Sequence, residues 1–339
     1  MGPVFLTHAP EMLDKYYGER ALAALRGLAE IRLNPTGAVL DAAGLAEHAR
    51  GCPIIVSDRQ TAAPAAFFDS APDLVAFLRC AVDIRNVDLE AASRSGVLVA
   101  RATPGFMAAV AEMAVGYMID LARGISRSVG EYRAGREAEA RMGRQLKGST
   151  LGLIGYGAIS QELAPVAVAL GMRVLVSDPY KHVEGPGLVQ VGMEDLLAAS
   201  DFVVCLAVAT AETENLMDEA AFARMKRGAF FLNLARGNLV DEAALEKALE
   251  SGQLAGAALD VGRAPDQKPS PRLACRPDVI ATPHVAGLTP DAVEHQAFDT
   301  VEQVRALLAG RIPAGAANAE AASRLPRLRS EKFDIGAPP

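Results

Sequence analysis

The most constraining stretch of the chain is Ser149-Thr-Leu-Gly-Leu-Ile-Gly-Tyr-Gly-Ala-Ile-Ser160, an apolar run that enters Gly155-x-Gly157-x-x-Ser160 and passes into a helical pattern reaching Leu170. Strand, glycine turn and helix in immediate succession point to a chain that crosses a parallel sheet and returns over its face. Gly155 suits the tight turn. Gly157, with Ala158 and Ile159 beside it, lets the backbone approach a pyrophosphate seated on the positive end of the helix. Ser160 stands where a third glycine is usual, and a small residue there still lets helix and strand pack. The next apolar run, Arg173-Val-Leu-Val-Ser177, stops at Asp178, 21 residues after Gly157. An acid at that spacing accepts hydrogen bonds from both ribose hydroxyls of NAD and repels a 2′-phosphate. Strand, turn, helix, strand and acid in order predict an NAD-binding α/β domain.

The rest of the chain repeats the alternation. Short apolar runs separated by helical patterns are expected as strands at Pro3 to Leu6, Glu30 to Leu33, Pro53 to Val56, Leu74 to Arg79 and Gly96 to Val99. After a loop from Glu131 to Leu146, a second series follows at Thr150 to Ile154, Arg173 to Ser177, Asp201 to Leu206, Ala229 to Leu234, Gly256 to Asp260 and Asp278 to Ala281. Two α/β domains with mostly parallel sheets are expected. The length of 339 residues, half of them hydrophobic, suits that count. Between the two series, Ala108 to Arg123 is apolar on nearly every side, which suits a helix buried between domains or subunits. A last helix is expected from Pro290 to about Leu308, and the tail from Ile312, with Pro313, Pro326, Pro338 and Pro339, reads as irregular.

Charge and cysteine usage exclude several classes. With 41 acidic against 34 basic side chains the net charge is −7, and no long Lys/Arg run appears, so nucleic acid is not an expected partner. Cys52, Cys80, Cys205 and Cys275 lie far apart without a CxxC, and MGPVFLTHAP lacks the basic and long apolar regions of a signal peptide. A reducing, cytoplasmic setting without structural metal is expected. Glu112 and Asp120 interrupt the most apolar helical stretch, short of the roughly 18 apolar residues of a membrane span.

Three segments place polar residues directly after an apolar run, at the end of a parallel strand where ligands bind. They are Phe230-Phe-Leu-Asn-Leu-Ala235-Arg236-Gly237, Gly256-Ala-Ala-Leu-Asp260-Val261 and Val279-Ile-Ala-Thr-Pro-His284. Arg236 offers a planar fork of donors to a carboxylate. His284 is the one side chain in these segments that exchanges a proton near neutral pH. Singly, Arg236 reads as a surface ion-pair residue and His284 as a loop histidine; beside a dinucleotide fold they suggest one site. Hydride transfer to a 2-oxo acid needs a cation for the carboxylate, a proton donor for the carbonyl oxygen and a reduced nicotinamide. His8, His48, His182 and His295 lie in other contexts and are expected to be structural or solvated.

Gly-Tyr-Gly-Ala-Ile-Ser, Ser-Asp178-Pro, Asn233-Leu-Ala-Arg236-Gly-Asn-Leu-Val-Asp241, Ala258-Leu-Asp260-Val and Thr282-Pro-His284 together resemble the signatures of the D-isomer-specific 2-hydroxyacid dehydrogenases, of the glyoxylate/hydroxypyruvate reductase and phosphoglycerate dehydrogenase kind. Asn86-Val-Asp88, Ala91-Ala-Ser-Arg-Ser-Gly-Val and Val110-Ala-Glu112 are similar to first-domain segments of that family. The resemblance implies a Rossmann-type NAD-binding domain, residues 106–289, inserted into a flavodoxin-like substrate domain made of residues 1–105 and 290–339, with the site in the cleft between them. It implies a homodimer that uses the helix from Ala108 to Arg123. It also maps carboxylate binding and catalysis onto Arg236, acid/base chemistry onto His284, and cofactor contacts onto Ala235 and the nicotinamide-side Asp260.

The chain departs from the family at two places. A glutamate is usual five positions after the aspartate, where this chain has Pro265; Asp266, one position later, is expected to replace it as the partner of His284. In the substrate loop, which the resemblance places at Ala81, Val82 and Asp83, Ala81 and Asp83 replace glycines. Asp83 adds negative charge there unless it pairs with Arg79 or Arg85, and phosphorylated substrates are expected to be poor. These departures also leave room for a different class of function, an NAD-binding relative that senses cofactor or binds protein as a dimer without catalysis.

Overall fold

The computed structural model describes residues 2–264 and 266–330; Met1, Pro265 and residues 331–339 lie outside the described residues, and with them the proline in the family's glutamate position. The chain divides into two compact units, one built from both chain ends, up to Gly105 and from Thr289 onward, the other from Phe106 to Leu288.

In the first unit, β1 (Val4–Leu6), β2 (Ile31–Leu33), β3 (Ile54–Ser57), β4 (Ala76–Arg79) and β5 (Leu98–Arg101) form a parallel sheet in the order β2-β1-β3-β4-β5. Side chains alternate across a strand, so each apolar run feeds two cores. Val4, Leu6, Ile54, Val56 and Leu78 face the helices Glu19–Arg26 and Pro290–Leu308, packing on Leu25, Val301 and Val304. Phe5, Ile55 and Phe77 point to the other side, onto Leu45, Phe67 and Phe68. Burial of each such side chain is worth ~1.5–3 kcal/mol. The tail differs from expectation. Ala316 bridges to Ala100, Asn318 bonds the backbone of Val97 and Val99, and a 3₁₀ turn, Ala319–Ala321, and a short helix, Arg327–Ser330, follow. Prolines stop long helices there, but buried Ala322 and Leu328 still anchor the segment.

The second unit holds β6 (Thr150–Ile154), β7 (Arg173–Ser177), β8 (Leu188–Gln190), β9 (Phe202–Cys205), β10 (Ala229–Asn233), β11 (Leu254–Leu259) and β12 (Val279–Ala281), all parallel, in the order β12-β11-β10-β9-β6-β7-β8. Leu151, Leu153, Val204 and Leu232 face the helix Met107–Arg123, whose Val110, Ala114, Tyr117 and Met118 are buried on them. Ile154, Val203, Phe231 and Leu259 face Leu196, Phe222 and Leu245 of the opposite helical layer. The strand order reverses between β6 and β9, and the glycine turn leaves the sheet at that switch point, the usual ligand crevice of such sheets. Between β10 and β11 the register slips once, between Ala229 and Phe230, and runs evenly from there to Asn233 opposite Leu259.

Candidate active site

At the glycine turn the residues have separable reasons. Gly155 has φ 89°, and a side chain there would sit 2.9 Å from the Ala207 Cα, so both the turn and the close approach require glycine. Gly157 has an ordinary φ of −76°, and a Cβ would meet nothing within 4 Å. Among the described residues nothing demands a glycine there; the open space suits a bound group that approaches the main chain. The helix Ala158–Ala169 begins here with no side-chain cap and no acidic residue in its first turn, which leaves its positive end suited to a pyrophosphate. The Ser160 hydroxyl donates to the Gly155 carbonyl at 2.6 Å, so the residue expected only to be tolerated ties the turn together. Asp178 joins the same assembly: Oδ2 accepts the Tyr156 N–H at 2.7 Å, and Oδ1 accepts those of Tyr180 and Lys181 at 2.8 and 3.1 Å. Three amides thus use three of about four acceptor positions of the carboxylate, which leaves one for a ribose hydroxyl where two were expected. The residues fit a dinucleotide.

Asn233, Leu259 and Ala281 lie side by side at the ends of β10, β11 and β12. Arg236 and His284 each follow that level by three residues, flanking Asp260, the first residue past β11. Buried Asn233 shapes the Arg236 turn, accepting the Ala235 N–H at 3.1 Å and donating to the Arg236 carbonyl at 2.8 Å. The Arg236 guanidinium donates to the Ala235 carbonyl at 2.7 Å. Behind it, a side chain on Gly237 would overlap the backbone of Gly262 and Arg263, so the two turns are in direct contact.

Asp260, 1% exposed, organises the other flank. Its Oδ1 accepts the Thr282 hydroxyl and the Val285 N–H, the latter at 2.9 Å, and its Oδ2 accepts the Ala286 N–H at 2.9 Å. The Thr282 hydroxyl also meets that of Tyr117. Two successive amides can converge on one carboxylate because the chain reverses at half-buried His284, whose φ of 59° is the left-handed conformation that costs a non-glycine residue about 1 kcal/mol. The carboxylate expected beside a nicotinamide is therefore the clamp of the His284 turn. Thr282 and Tyr117 belong to that clamp and carried no sequence signal of it.

Two expectations need correction. Asp266 is exposed and its carboxylate holds the Lys268 ammonium at 2.9 Å and accepts the Lys268 N–H at 3.2 Å; these contacts keep its carboxyl below the usual carboxylate range. Gln267, with φ 59°, folds Lys268 back onto it, so the turn that was expected to carry Asp266 to His284 carries it to lysine. In the first unit, Ala81, Val82 and Asp83 follow β4 and are half-buried. Asp83 takes the Arg85 guanidinium through both oxygens, at 2.6 to 3.0 Å, so its charge is offset and the electrostatic reason for rejecting phosphorylated substrates is weakened. Arg79 is buried and holds Ser57 Oγ and the carbonyls of Asp58, Arg59, Thr61 and Asp83; burial pulls its pKa down to about 10.

Residues 115–286 match the family model described as D-isomer specific 2-hydroxyacid dehydrogenase, NAD binding domain. Hydroxypyruvate reductase of Thermotoga maritima is 33% identical over 255 residues, covering 74% of this chain and 83% of that protein. The chloroplastic D-3-phosphoglycerate dehydrogenase 3 of Arabidopsis thaliana is 36% identical over 245 residues, covering 71% of this chain and 42% of that protein. The chain spans about half or less of the length of several such phosphoglycerate dehydrogenases, 39% to 51%. A solved structure of a Thermus thermophilus protein superposes with a TM-score of 0.81 at 31% identity, covering 93% of this chain and 99% of that one. The nicotinamide-binding architecture and the ordered turns around Arg236, Asp260 and His284 thus belong to one lineage: the chain is a member of the D-isomer specific 2-hydroxyacid dehydrogenase family.

Proposed function

We propose that the protein is an NAD-dependent oxidoreductase of 2-oxo and 2-hydroxy acids, with Arg236 binding the substrate carboxylate and His284 exchanging the proton of the carbonyl or hydroxyl oxygen. The observation that carries this reading is that Arg236 and His284 each stand three residues past one level of the sheet, each in a shaped turn. Gly155, Gly157, Ala158, Ile159, Asp178 and Ala235 would hold NAD, which supplies or takes the hydride when bound. Arg236 fixes the acid group by a planar ion pair. His284 in its protonated form donates to the carbonyl oxygen during reduction, and the neutral ring takes that proton back during oxidation. Asp260 touches no substrate in this scheme; it sets the backbone from which His284 projects. Ala81, Val82 and Asp83 are proposed as the substrate loop of the first unit. Ile119, Ile125, Val129 and Tyr132, 38%, 48%, 40% and 64% exposed, line an open groove of about 450 Å³ that a second copy would cover in a homodimer.

The test is NADH oxidation with a panel of 2-oxo acids, including pyruvate, glyoxylate, hydroxypyruvate and 3-phosphohydroxypyruvate. Arg236→Ala should lower kcat/KM by ~100-fold or more, and His284→Asn should lower kcat by a similar factor, with NADH affinity kept. Asp178→Ala should narrow a preference for NADH over NADPH by weakening NADH use. The diversion of Asp266 to Lys268 favours a second reading, a dimer that binds NAD and a partner protein without turnover. Tight NADH binding with no activity on any member of the panel would select it.

A further inference from the structure

Arg263 gathers the loops that follow three neighbouring strands. Its Nε donates to the Val240 carbonyl at 2.9 Å, one terminal nitrogen to Glu214 Oε1 at 2.7 Å, and the other to the Asn238 carbonyl at 3.0 Å and to Asn215 Oδ1. The second Glu214 oxygen accepts from Asn238 Nδ2 at 2.8 Å. The segments so joined already run side by side: Asn215 N–H reaches the Asn238 carbonyl and Met217 N–H the Leu239 carbonyl, each at 2.9 Å. The carbonyls that Arg263 holds belong to the second and fourth residues after Arg236, and Gly237, the first, is seated on Gly262 and the Arg263 amide.

We propose that Arg263 is a positioning residue for the substrate-binding arginine, bracing the Arg236 turn against the loop that leaves Asp260 and the His284 clamp. The geometry calls for arginine: a planar fork reaches four acceptors on two separate segments, whereas a lysine ammonium reaches from a single point. The partly exposed ion pair with Glu214 adds little by itself. Its value lies in direction, because the turn that would aim Arg236 has the fork on one side and Asn233 on the other. The proposal rests on the reading of Arg236 as the carboxylate ligand.

Two measurements on Arg263→Gln and Arg263→Lys test it. Amide exchange of residues 236–241 should accelerate about tenfold in Arg263→Gln and less in Arg263→Lys, with β11 unchanged. KM for the preferred 2-oxo acid should rise about tenfold while kcat and the NADH Kd change less than about twofold, the mark of lost ground-state binding. Unchanged exchange with unchanged KM overturns the proposal. So does an equal decline in kcat, NADH affinity and melting temperature, which would make Arg263 a general structural residue. If the wild-type protein reduces no 2-oxo acid, the functional reading fails, and the exchange comparison still decides whether Arg263 braces this turn.

Discussion

Replacing Asp260 with asparagine tests the clamp on His284 with almost no change of shape. An asparagine side chain keeps one acceptor oxygen and presents an NH₂ in place of the other. If the oxygen stays toward Thr282 and Val285, the Ala286 N–H faces a donor; if the amide turns over, the Val285 N–H does. Either way one backbone N–H, buried at Ala286 and partly buried at Val285, loses a charge-assisted bond worth ~1.5–3 kcal/mol and is left without an acceptor, which costs ~1–3 kcal/mol more. About 1 kcal/mol is recovered if His284 leaves the left-handed conformation. The net of roughly 1.5–5 kcal/mol is enough to displace the turn in most molecules. The expected result is a fall in kcat/KM of at least ~100-fold, a melting temperature lower by ~4–10 °C, and an NADH Kd within about threefold of wild type. Steady-state NADH oxidation, calorimetry and fluorescence titration read these, and amide exchange at Val285 and Ala286 should quicken in parallel. Turnover within threefold of wild type together with unchanged exchange at those two amides would refute the reasoning.

Gly157→Ala adds a Cβ into open space, so stability should hold or rise by ~0.4–1 kcal/mol while NADH binding weakens about tenfold or more; a titration showing undiminished affinity would remove Gly157 from the cofactor site. Asp266→Asn should give a pH profile of kcat/KM that superimposes on wild type, since its carboxylate serves Lys268, and a descending limb moved to lower pH would restore Asp266 as the partner of His284. His8 is buried with no partner for Nδ1 among the described residues, and burial lowers its pKa to about 4 from the model-peptide value of 6.5. The unfolded chain then takes the proton first: the contribution to stability is full above pH 6.5 and is lost as pH falls toward 4, by roughly 3 kcal/mol. Denaturant midpoints of wild type and His8→Phe between pH 7 and 4 should show the steeper acid decline in wild type, and equal slopes would count against it.

Strands with strong periodic signals were legible. Thr150–Ile154 and Arg173–Ser177 occupy the expected residues because apolar runs there are bounded by glycine turns or by Asp178-Pro179 and are buried on both faces. The three-residue edge strand Leu188–Gln190 was not foreseen; its partly exposed side chains, in a stretch rich in glycine and charge, leave no alternation to read. Arg236, Asp260 and His284 stood out as polar residues after apolar strands. What joins Asp260 to His284 did not, since its partners are backbone amides whose direction depends on one left-handed residue. The same limit applies to Asp266: sequence distance to the expected position is one residue, but a positive φ at Gln267 decides which cation it meets. Ser160 was legible as small, whereas its bond to Gly155 depends on how the turn brings that carbonyl back over the helix.

Ala229 pairs with Leu254 and Phe230 with Gly256, so β11 carries one surplus residue, Ala255, at the rim opposite Arg236 and His284. Each strand residue advances the chain about 3.3 Å and turns the next side chain to the other face. A surplus residue placed between Gly256 and Leu259 would carry Asp260 out of reach of Val285 and Ala286 and into the wrong layer. Placed at Ala255, it is absorbed before the rungs that matter begin. The sheet thus separates a rim where one surplus residue is accommodated from one where the register is held, and an insertion in the connection from Ser251 to Gln253 is expected to leave the rungs from Gly256 to Leu259 in place.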